Sequence, residues 1–586
     1  MEAGGNSENP AQCTRNAADA STLRPRPTNR PPLRARDVQL YRLCEDLTEA
    51  LIYAMVVFGP WAFGTTQPWS IWLMNITGCL LGILLAGKVT IRRLKGYQPS
   101  RWGDGQRLEA RSPRSEVRSL RSDVRGQQTE IRNQKAESRN GISDAGSQWS
   151  MVRAPESRVS GPWSVVRGQQ PALRLTAILA GLTVAILAYC LISAVNARAT
   201  FLRGALRFDY HDAYIKWLPH SLDSGRTWVA FWTYLGLACS FWAVRDWLLG
   251  KTEGEERAER GGLEPERGSS VPLLPSRLRR LLWVLAVNGG LLAVEGIAQR
   301  LEGSGNLLFL VKPRVNPGAE AQFGPYAYRA NASQYFNLLW PVCLGFWWTL
   351  NQSYARKHKA HHLVLLCSGF MAACPIISTS RGGALITIGI VVLAAFFLVA
   401  THFLLAAHRQ QARRTRAITL ICLSLFFTGA LALGFSLGWK ALKPRVAQMS
   451  EGFELRERMY DLARPMAADY PLFGTGPGTF ESVFQLYRIS TDTYWPAQLH
   501  NDWLETRITF GWIGSGLVAL ALAVVLLRWF APGGIHGGRR FIILIWLALA
   551  GCLVHARFDF PFQIHSIVLL FLLLCAILAN LTRRPF

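Results

Sequence analysis

The sequence predicts an all-α integral membrane protein of about twelve transmembrane helices, and three observations carry that class. Half of the 586 residues are hydrophobic, yet the mean hydropathy is only +0.14, so long apolar stretches must alternate with strongly polar ones. The apolar stretches recur at about the 20-residue length that crosses roughly 30 Å of hydrocarbon. Every second segment between them is rich in Lys, Arg or His, the pattern that keeps basic loops on the cytoplasmic side.

The tail 1–47 is Arg- and Pro-rich and is expected to be disordered and cytoplasmic. The first apolar run begins only near Ala50, so it should stay as an anchor rather than leave as a signal peptide. Spans are predicted at 48–64 and 69–90. An Arg/Ser-rich insertion follows at 92–171, with degenerate strings such as Arg-Ser-Glu-Val-Arg and Trp-Ser-Val-Val-Arg and no apolar periodicity. It is expected to be a disordered cytoplasmic segment, with contact between its arginines and anionic headgroups as the functional alternative.

The region 172–586 holds the remaining spans, at 172–196, 227–249, 280–298, 334–352, 362–379, 384–407, 417–438, 508–530, 541–559 and 565–581, with a second charged linker at 250–279. With the tail inside, alternation places both termini, 92–171, 250–279, 353–361, 408–416 and 531–540 in the cytoplasm. Outside fall 197–226, 299–333, the turn at Arg381, the large loop 439–507 between the ninth and tenth spans, and the turn 560–564.

Lys and Arg outnumber Asp and Glu by 64 to 38, a formal charge of +26. Because the excess collects in the tail, the insertion and short loops beside spans, it is a topology signal, and nucleic acid is not expected as a partner. Of the eleven cysteines, nine lie in apolar runs and Cys13 and Cys44 in the basic tail. None falls in an outer segment or a metal-ligand spacing, so neither a disulfide framework nor a metal is expected.

Chemistry is concentrated outside. Within 439–507, Glu451 to Ala468 has helical apolar spacing. The glycine-rich stretch Gly474 to Phe480 then reads either as a plain tight turn or as a backbone cradle for an anion. His500-Asn501-Asp502-Trp503-Leu504-Glu505 closes the loop, and a histidine at the water–membrane boundary can take a proton near neutral pH. Its alternative is an interfacial histidine bonded to the loop. Arg381, in Ser-Arg-Gly-Gly between two apolar runs, either snorkels to headgroups or forks a diphosphate, with the glycines allowing close approach. Arg456 reads as a second clamp or as an ion pair with Glu454 and Glu457. His555 and Asp559 lie one turn apart beside the last outer turn, where a structural pair competes with a role at the site.

Taken together, Ser-Arg-Gly-Gly at 380–383, Arg456 four residues before Tyr460, Pro-Leu-Phe-Gly-Thr-Gly-Pro-Gly-Thr-Phe at 471–480 and His-Asn-Asp-Trp-Leu-Glu at 500–505 resemble the core of the O-antigen ligase and polymerase superfamily. The His-Asn-x-x-Leu-Glu box is also similar to that of bacterial O-linked oligosaccharyltransferases. The resemblance covers about 300–586; the insertion 92–170 departs from it.

It implies a GT-C-like transferase of the bacterial inner membrane, with 439–507 periplasmic. The donor would be an undecaprenyl-diphosphate-linked glycan, the acceptor lipid A core, another glycan or a protein, and no metal or other cofactor would be used. It further implies that His500 is the general base, that Arg381 and Arg456 hold the diphosphate, and that Arg329, Asn501, Glu505, His555 and Asp559 are candidate substrate contacts. A polytopic transporter is the competing class, but the two halves show no repeat and one half carries the motif-rich outer loop.

Overall fold

The computed structural model describes residues 33–102, 162–260, 274–353, 360–406, 413–489, 496–527 and 539–581. They fold into helices α1 (Ala35–Trp61), α2 (Pro68–Leu94), α3 (Pro162–Val195), α4 (Ser224–Leu249), α5 (Glu253–Arg260), α6 (Ser276–Glu302), α7 (Arg329–Ser353) and α8 (His362–Ile377). There follow α9 (Arg381–Ala406), α10 (Arg413–Ala447), α11 (Met449–Asp469), α12 (Phe480–Val483), α13 (Asp502–Leu527), α14 (Arg539–His555) and α15 (His565–Leu581). One antiparallel hairpin, β1 (Ala199–Leu202) with β2 (Arg207–Tyr210), pairs Ala199 with Tyr210.

Among the described residues, each predicted apolar run falls mostly within one of these helices, with ends such as 62–64, 378–379 and 556–559 lying beyond them. Among the described residues, seven helices are long and apolar enough to cross a membrane: α2, α3, α4, α6, α9, α10 and α13, with α8, α14 and α15 as shorter apolar ones. The protein is thus an all-α membrane protein. α7 forms the middle of the bundle, packed by α6, α8, α9, α14 and α15. Trp340, Phe346 and Trp347 on it are completely buried, which explains why its sequence is apolar all round instead of carrying one apolar stripe.

Three predicted boundaries need correction. α1 begins at Ala35, so the expected disorder of 1–47 applies at most to 1–32, which lie outside the described residues. α2 runs to Leu94, and the start of the insertion is docked: Trp102 N donates to the Leu249 carbonyl and Lys251 N to that of Ser100. Arg101 binds Asp246 at 2.6 Å, part of a network in which Lys88, wholly buried, reaches both Glu45 and Asp246. Asp246 is shared by Lys88, Arg92 and Arg101, and its negative charge holds the insertion's root on the bundle. The rest of the insertion, 103–161, lies outside the described residues, as do the basic segments 407–412 and 528–538 and the C-terminal 582–586. Finally, the linker 250–279 includes α5, and Glu255 accepts a hydrogen bond from Ser276 N at the start of α6.

α6 connects the two ends of the bundle. Arg277 at its start joins the Lys88 network through Glu45, while Arg300 in its last turn sits among the termini of α7, α8 and α9, some 35 Å away at 1.5 Å per residue. The candidate site residues lie at that second end.

Candidate active site

The His500 box is held by an unusual helix start. Asn501 caps α13, its Oδ1 accepting from Leu504 N at 3.1 Å, and Glu505 reaches back to accept from Leu499 N at 2.8 Å. Both side chains are buried, and in this structure Asn501 and Glu505 cap the start of α13. Just before Asn501, His500 adopts a left-handed backbone, φ +57°, and its carbonyl accepts from the Tyr460 hydroxyl of α11 at 2.7 Å. Asp502 staples the box to the turn between α14 and α15: its N donates to the Ala556 carbonyl at 2.8 Å, and its carboxylate accepts from Phe562 N at 2.7 Å.

That staple aims His500 at Asp559. Nδ1 of His500 lies 3.0 Å from Asp559 Oδ1. The same carboxylate accepts from the Tyr328 hydroxyl at 3.2 Å and from Phe560 N at 3.1 Å. Arg456 Nη2 stands 3.8 Å from its Oδ2 and His555 Nε2 at 3.9 Å. Phe560 meets the His500 ring edge-on with centroids 4.7 Å apart, and stacks on Tyr328. With Nδ1 donating to the carboxylate, His500 presents Nε2 as an acceptor. The imidazole remains 21% exposed while Asp559 is 7%, so the outer nitrogen is reachable and the carboxylate is not.

Burial would raise the Asp559 carboxyl, but the hydrogen bond and charge of His500 and the charges of Arg456 and His555 more than offset it and hold Asp559 below its ordinary range. Tyr328 is pushed up by burial and by the charge of Asp559, so it stays a neutral donor. Burial would lower Arg456, and Asp559 with Tyr328 raises it instead.

Arg456 also donates to the Phe558 carbonyl; its partner is therefore Asp559 rather than the neighbouring Glu454 and Glu457. His555 is buried against Gln334 and the start of α9, where a Cβ on Gly382 would lie 3.3 Å from Nε2. The structural pairing expected for His555 and Asp559 is present but loose, and what it missed is that Asp559 serves His500. Nothing in the spacing of 500 and 559 signals this, since the contact depends on the Asp502 staple. Tyr328 likewise carried no sequence signal of its own.

α9 begins at the Ser-Arg-Gly-Gly hinge. Thr379 takes φ +60°, Ser380 caps the helix by accepting from Gly383 N at 3.2 Å, and a Cβ on Gly383 would collide with Ser333 of α7. The glycine is therefore needed for close packing of α9 on α7. Arg381 projects from the first helical position and donates to the Gln448 carbonyl at 2.8 Å. Arg329 donates to the Glu320 carbonyl. The structure groups His500, Asp559, His555 and Arg456 directly; Gly382 adjoins His555, while the Arg381 guanidinium itself points to the Gln448 and Arg445 carbonyls.

The glycine-rich stretch is a packing turn. Thr475 N donates to the Ile508 carbonyl and Gly476 N to that of Thr509, and Gly474 and Gly511 approach too closely to admit side chains. Leu222 N also donates to the Thr475 carbonyl, which docks the outer loop on the N-terminal half.

Residues 366–519 match the O-Antigen ligase family. A search of curated proteins finds no match to this chain. The matched segment contains the Ser-Arg-Gly-Gly hinge, Arg456 and the His500 box, while Arg329, His555 and Asp559 lie outside it. The chain thus combines apolar helices of membrane-spanning length with a segment, residues 366–519, that is similar to the O-Antigen ligase family.

Proposed function

We propose that the protein transfers an undecaprenyl-diphosphate-linked glycan to an acceptor hydroxyl at the periplasmic face of the bacterial inner membrane. The observation that carries this reading is the reachable imidazole of His500, oriented by a buried carboxylate at 3.0 Å. Such a pair is suited to remove a proton from a weakly acidic hydroxyl and to stabilise the resulting imidazolium.

In the proposed reaction the acceptor hydroxyl gives its proton to Nε2 of His500 as its oxygen forms a bond to the anomeric carbon. The bond from that carbon to the diphosphate oxygen breaks, and the electron pair leaves with undecaprenyl diphosphate. A single displacement inverts the anomeric centre. Charge building on the leaving oxygen is met by Arg381, a preorganised cation at the α9 start, with Arg456 at the edge of the dyad. The about twelve spans and the inward termini belong to the same proposal, supported by the basic segments between spans.

A ligase, a polymerase and a protein oligosaccharyltransferase share this chemistry and differ in the acceptor. Deleting the gene in its host separates them: loss of glycan from lipopolysaccharide marks a ligase, shortened free polymer a polymerase, and unglycosylated protein an oligosaccharyltransferase. If none of the three changes, the transferase reading is overturned.

A further inference from the structure

Aromatic rings from two distant parts of the chain meet beside the C-terminal end of α11. In the hairpin, Phe201 and Phe208 are cross-strand partners with centroids 4.9 Å apart, and Tyr210, on the same face of β2, lies 6.2 Å from Phe208. Just after β2, Tyr214 has the Arg198 guanidinium 5.6 Å over its ring and the His220 ring at 5.5 Å, and His220 in turn meets Phe473 at 6.2 Å. Tyr470, at the end of α11, lies within electrostatic reach of Arg198, Tyr210, Tyr214 and Tyr487. The Tyr487 hydroxyl donates to Asp469 at 2.6 Å. The hairpin is fixed in place by Arg203, which pairs with Glu481 at 2.6 Å, and by Phe208, packed on the core around Tyr460 and Phe480.

The fold uses these rings only in part. Tyr210 is 57% exposed, and Trp217, three residues from both Tyr214 and His220, is 75% exposed. Tyr214, Tyr470 and Tyr487 are half-buried. Aromatic side chains held rigidly at a surface offer a large amphipathic contact area at small entropic cost. A sugar is complementary to such a surface: its C–H faces lie on the rings, and its hydroxyls reach the tyrosine hydroxyls, the Asp469 carboxylate and the Arg198 guanidinium around them. The exposed carboxylates of Asp209, Asp212 and Asp469 disfavour a phosphate or an anionic headgroup at the same place.

We propose that the β1–β2 hairpin, the stretch 211–220 and the end of α11 form a stacking platform for a saccharide chain, with Tyr210, Tyr214 and Tyr470 as its rings. This rests on the proposed function and deepens it by placing the glycan. α11 carries both ends of the arrangement: Arg456 stands beside Asp559, and from there to Tyr470 the helix runs about 21 Å at 1.5 Å per residue. The platform therefore holds sugars remote from the reacting carbon, and favours a long chain over a single sugar through binding energy. Tyr210 and Tyr214 lie outside the matched segment 366–519, so the N-terminal half takes part in selecting the glycan.

The test uses the purified full chain in phosphatidylcholine nanodiscs, titrated calorimetrically with the host's long-chain glycan freed from its lipid by mild acid. Tyr210→Ala and Tyr214→Ala should each weaken binding by about three- to tenfold, and Tyr210→Phe, which keeps the ring, should stay within about twofold of wild type. Tyr210 is exposed, so its removal spares the core. No binding by wild type, or undiminished binding by both alanine variants, would overturn the platform with the proposed function intact. Transfer assays identify the source of the chain: a KM preference for a long-glycan donor over a single-sugar donor that falls in the variants assigns the donor's chain, and a preference for a long acceptor glycan that falls instead assigns the acceptor's. If neither preference changes, the platform is overturned. Fluorotyrosine placed at 210 should be relaxed by a water-soluble gadolinium chelate; relaxation by doxyl lipid instead would make the ring a membrane anchor and overturn the inference. Wild-type protein that binds the free glycan yet transfers none would overturn the functional reading and leave the platform standing.

Discussion

Asp559 Oδ1 lies 3.0 Å from His500 Nδ1, across 59 residues of sequence that include an entire helical hairpin. The pairing joins the loop before α13 to the turn after α14, and it exists because Asp502 fastens those two segments together. A buried, ionised carboxylate on one side of a partly exposed imidazole fixes both the tautomer and the direction of the other nitrogen.

His500→Ala is expected to lower the transfer rate by about 10²–10⁴-fold, the worth of a positioned general base, with binding of undecaprenyl diphosphate nearly unchanged. Asp559→Asn keeps the shape but offers an amide to the ring, and should cost about 10²-fold or more in turnover with a smaller change in KM. Steady-state kinetics on both purified variants check the pair. Full activity in Asp559→Asn would remove the orienting role.

The depressed acidity of Asp559 makes a signed pH expectation. Its folded-state pKa lies below its unfolded value, so its contacts contribute stability above the ordinary carboxylate pKa near 4, and that contribution is lost as pH falls through the depressed value. The difference in unfolding temperature between wild type and Asp559→Asn should be flat from about pH 8 to 5 and should shrink only below about pH 4. A gap that closes near neutral pH would contradict the pairing.

Arg381→Ala should reduce both diphosphate-lipid binding and turnover, because the charge is met in the ground state and more strongly as the leaving group departs. Arg381→Lys should rescue little, since an ammonium cannot make the bidentate fork. A residue that merely snorkels would behave oppositely, and near wild-type transfer by Arg381→Lys would reject the diphosphate role.

Replacing 103–160 by a short Gly/Ser linker should leave transfer intact. Arg101 and Trp102 must be kept, because they dock on Asp246 and the Leu249 carbonyl. Asp246→Ala strips a carboxylate from Lys88, Arg92 and Arg101 at once and should cost about 3–5 kcal/mol, the usual effect of breaking a buried pair. Thermal unfolding in detergent measures the second effect, and glycan transfer measures the first.

Much of the fold was legible in the sequence because a membrane imposes length and apolarity on each span, and among the described residues each run from 48–64 to 565–581 falls mostly within a helix. The helix over 451–468 was readable from its spacing and appears as α11. Boundaries were harder where charge and helix coincide: α1 starts at Ala35 inside a basic tail, since its charged first turns still have good helix formers. At the site, His500 and Arg381 stood out by position, but the contacts of Asp559 and Tyr328 with His500 were not legible. Each depends on contacts between helices far apart in sequence. The glycines of 474–478 were ambiguous until the carbonyls of Ile508 and Thr509 were seen to take their backbone donors.

The most direct test of the central claim is single-turnover transfer in liposomes, using purified protein, an undecaprenyl-diphosphate-linked glycan and the acceptor class that the gene deletion identifies. Wild-type protein should release one undecaprenyl diphosphate per glycan transferred, with inversion at the anomeric carbon, and His500→Ala should bind the donor equally well while transferring at least about 10²-fold more slowly. Equal transfer rates in wild type and His500→Ala, or glycan product that retains the donor's anomeric configuration, would contradict the account.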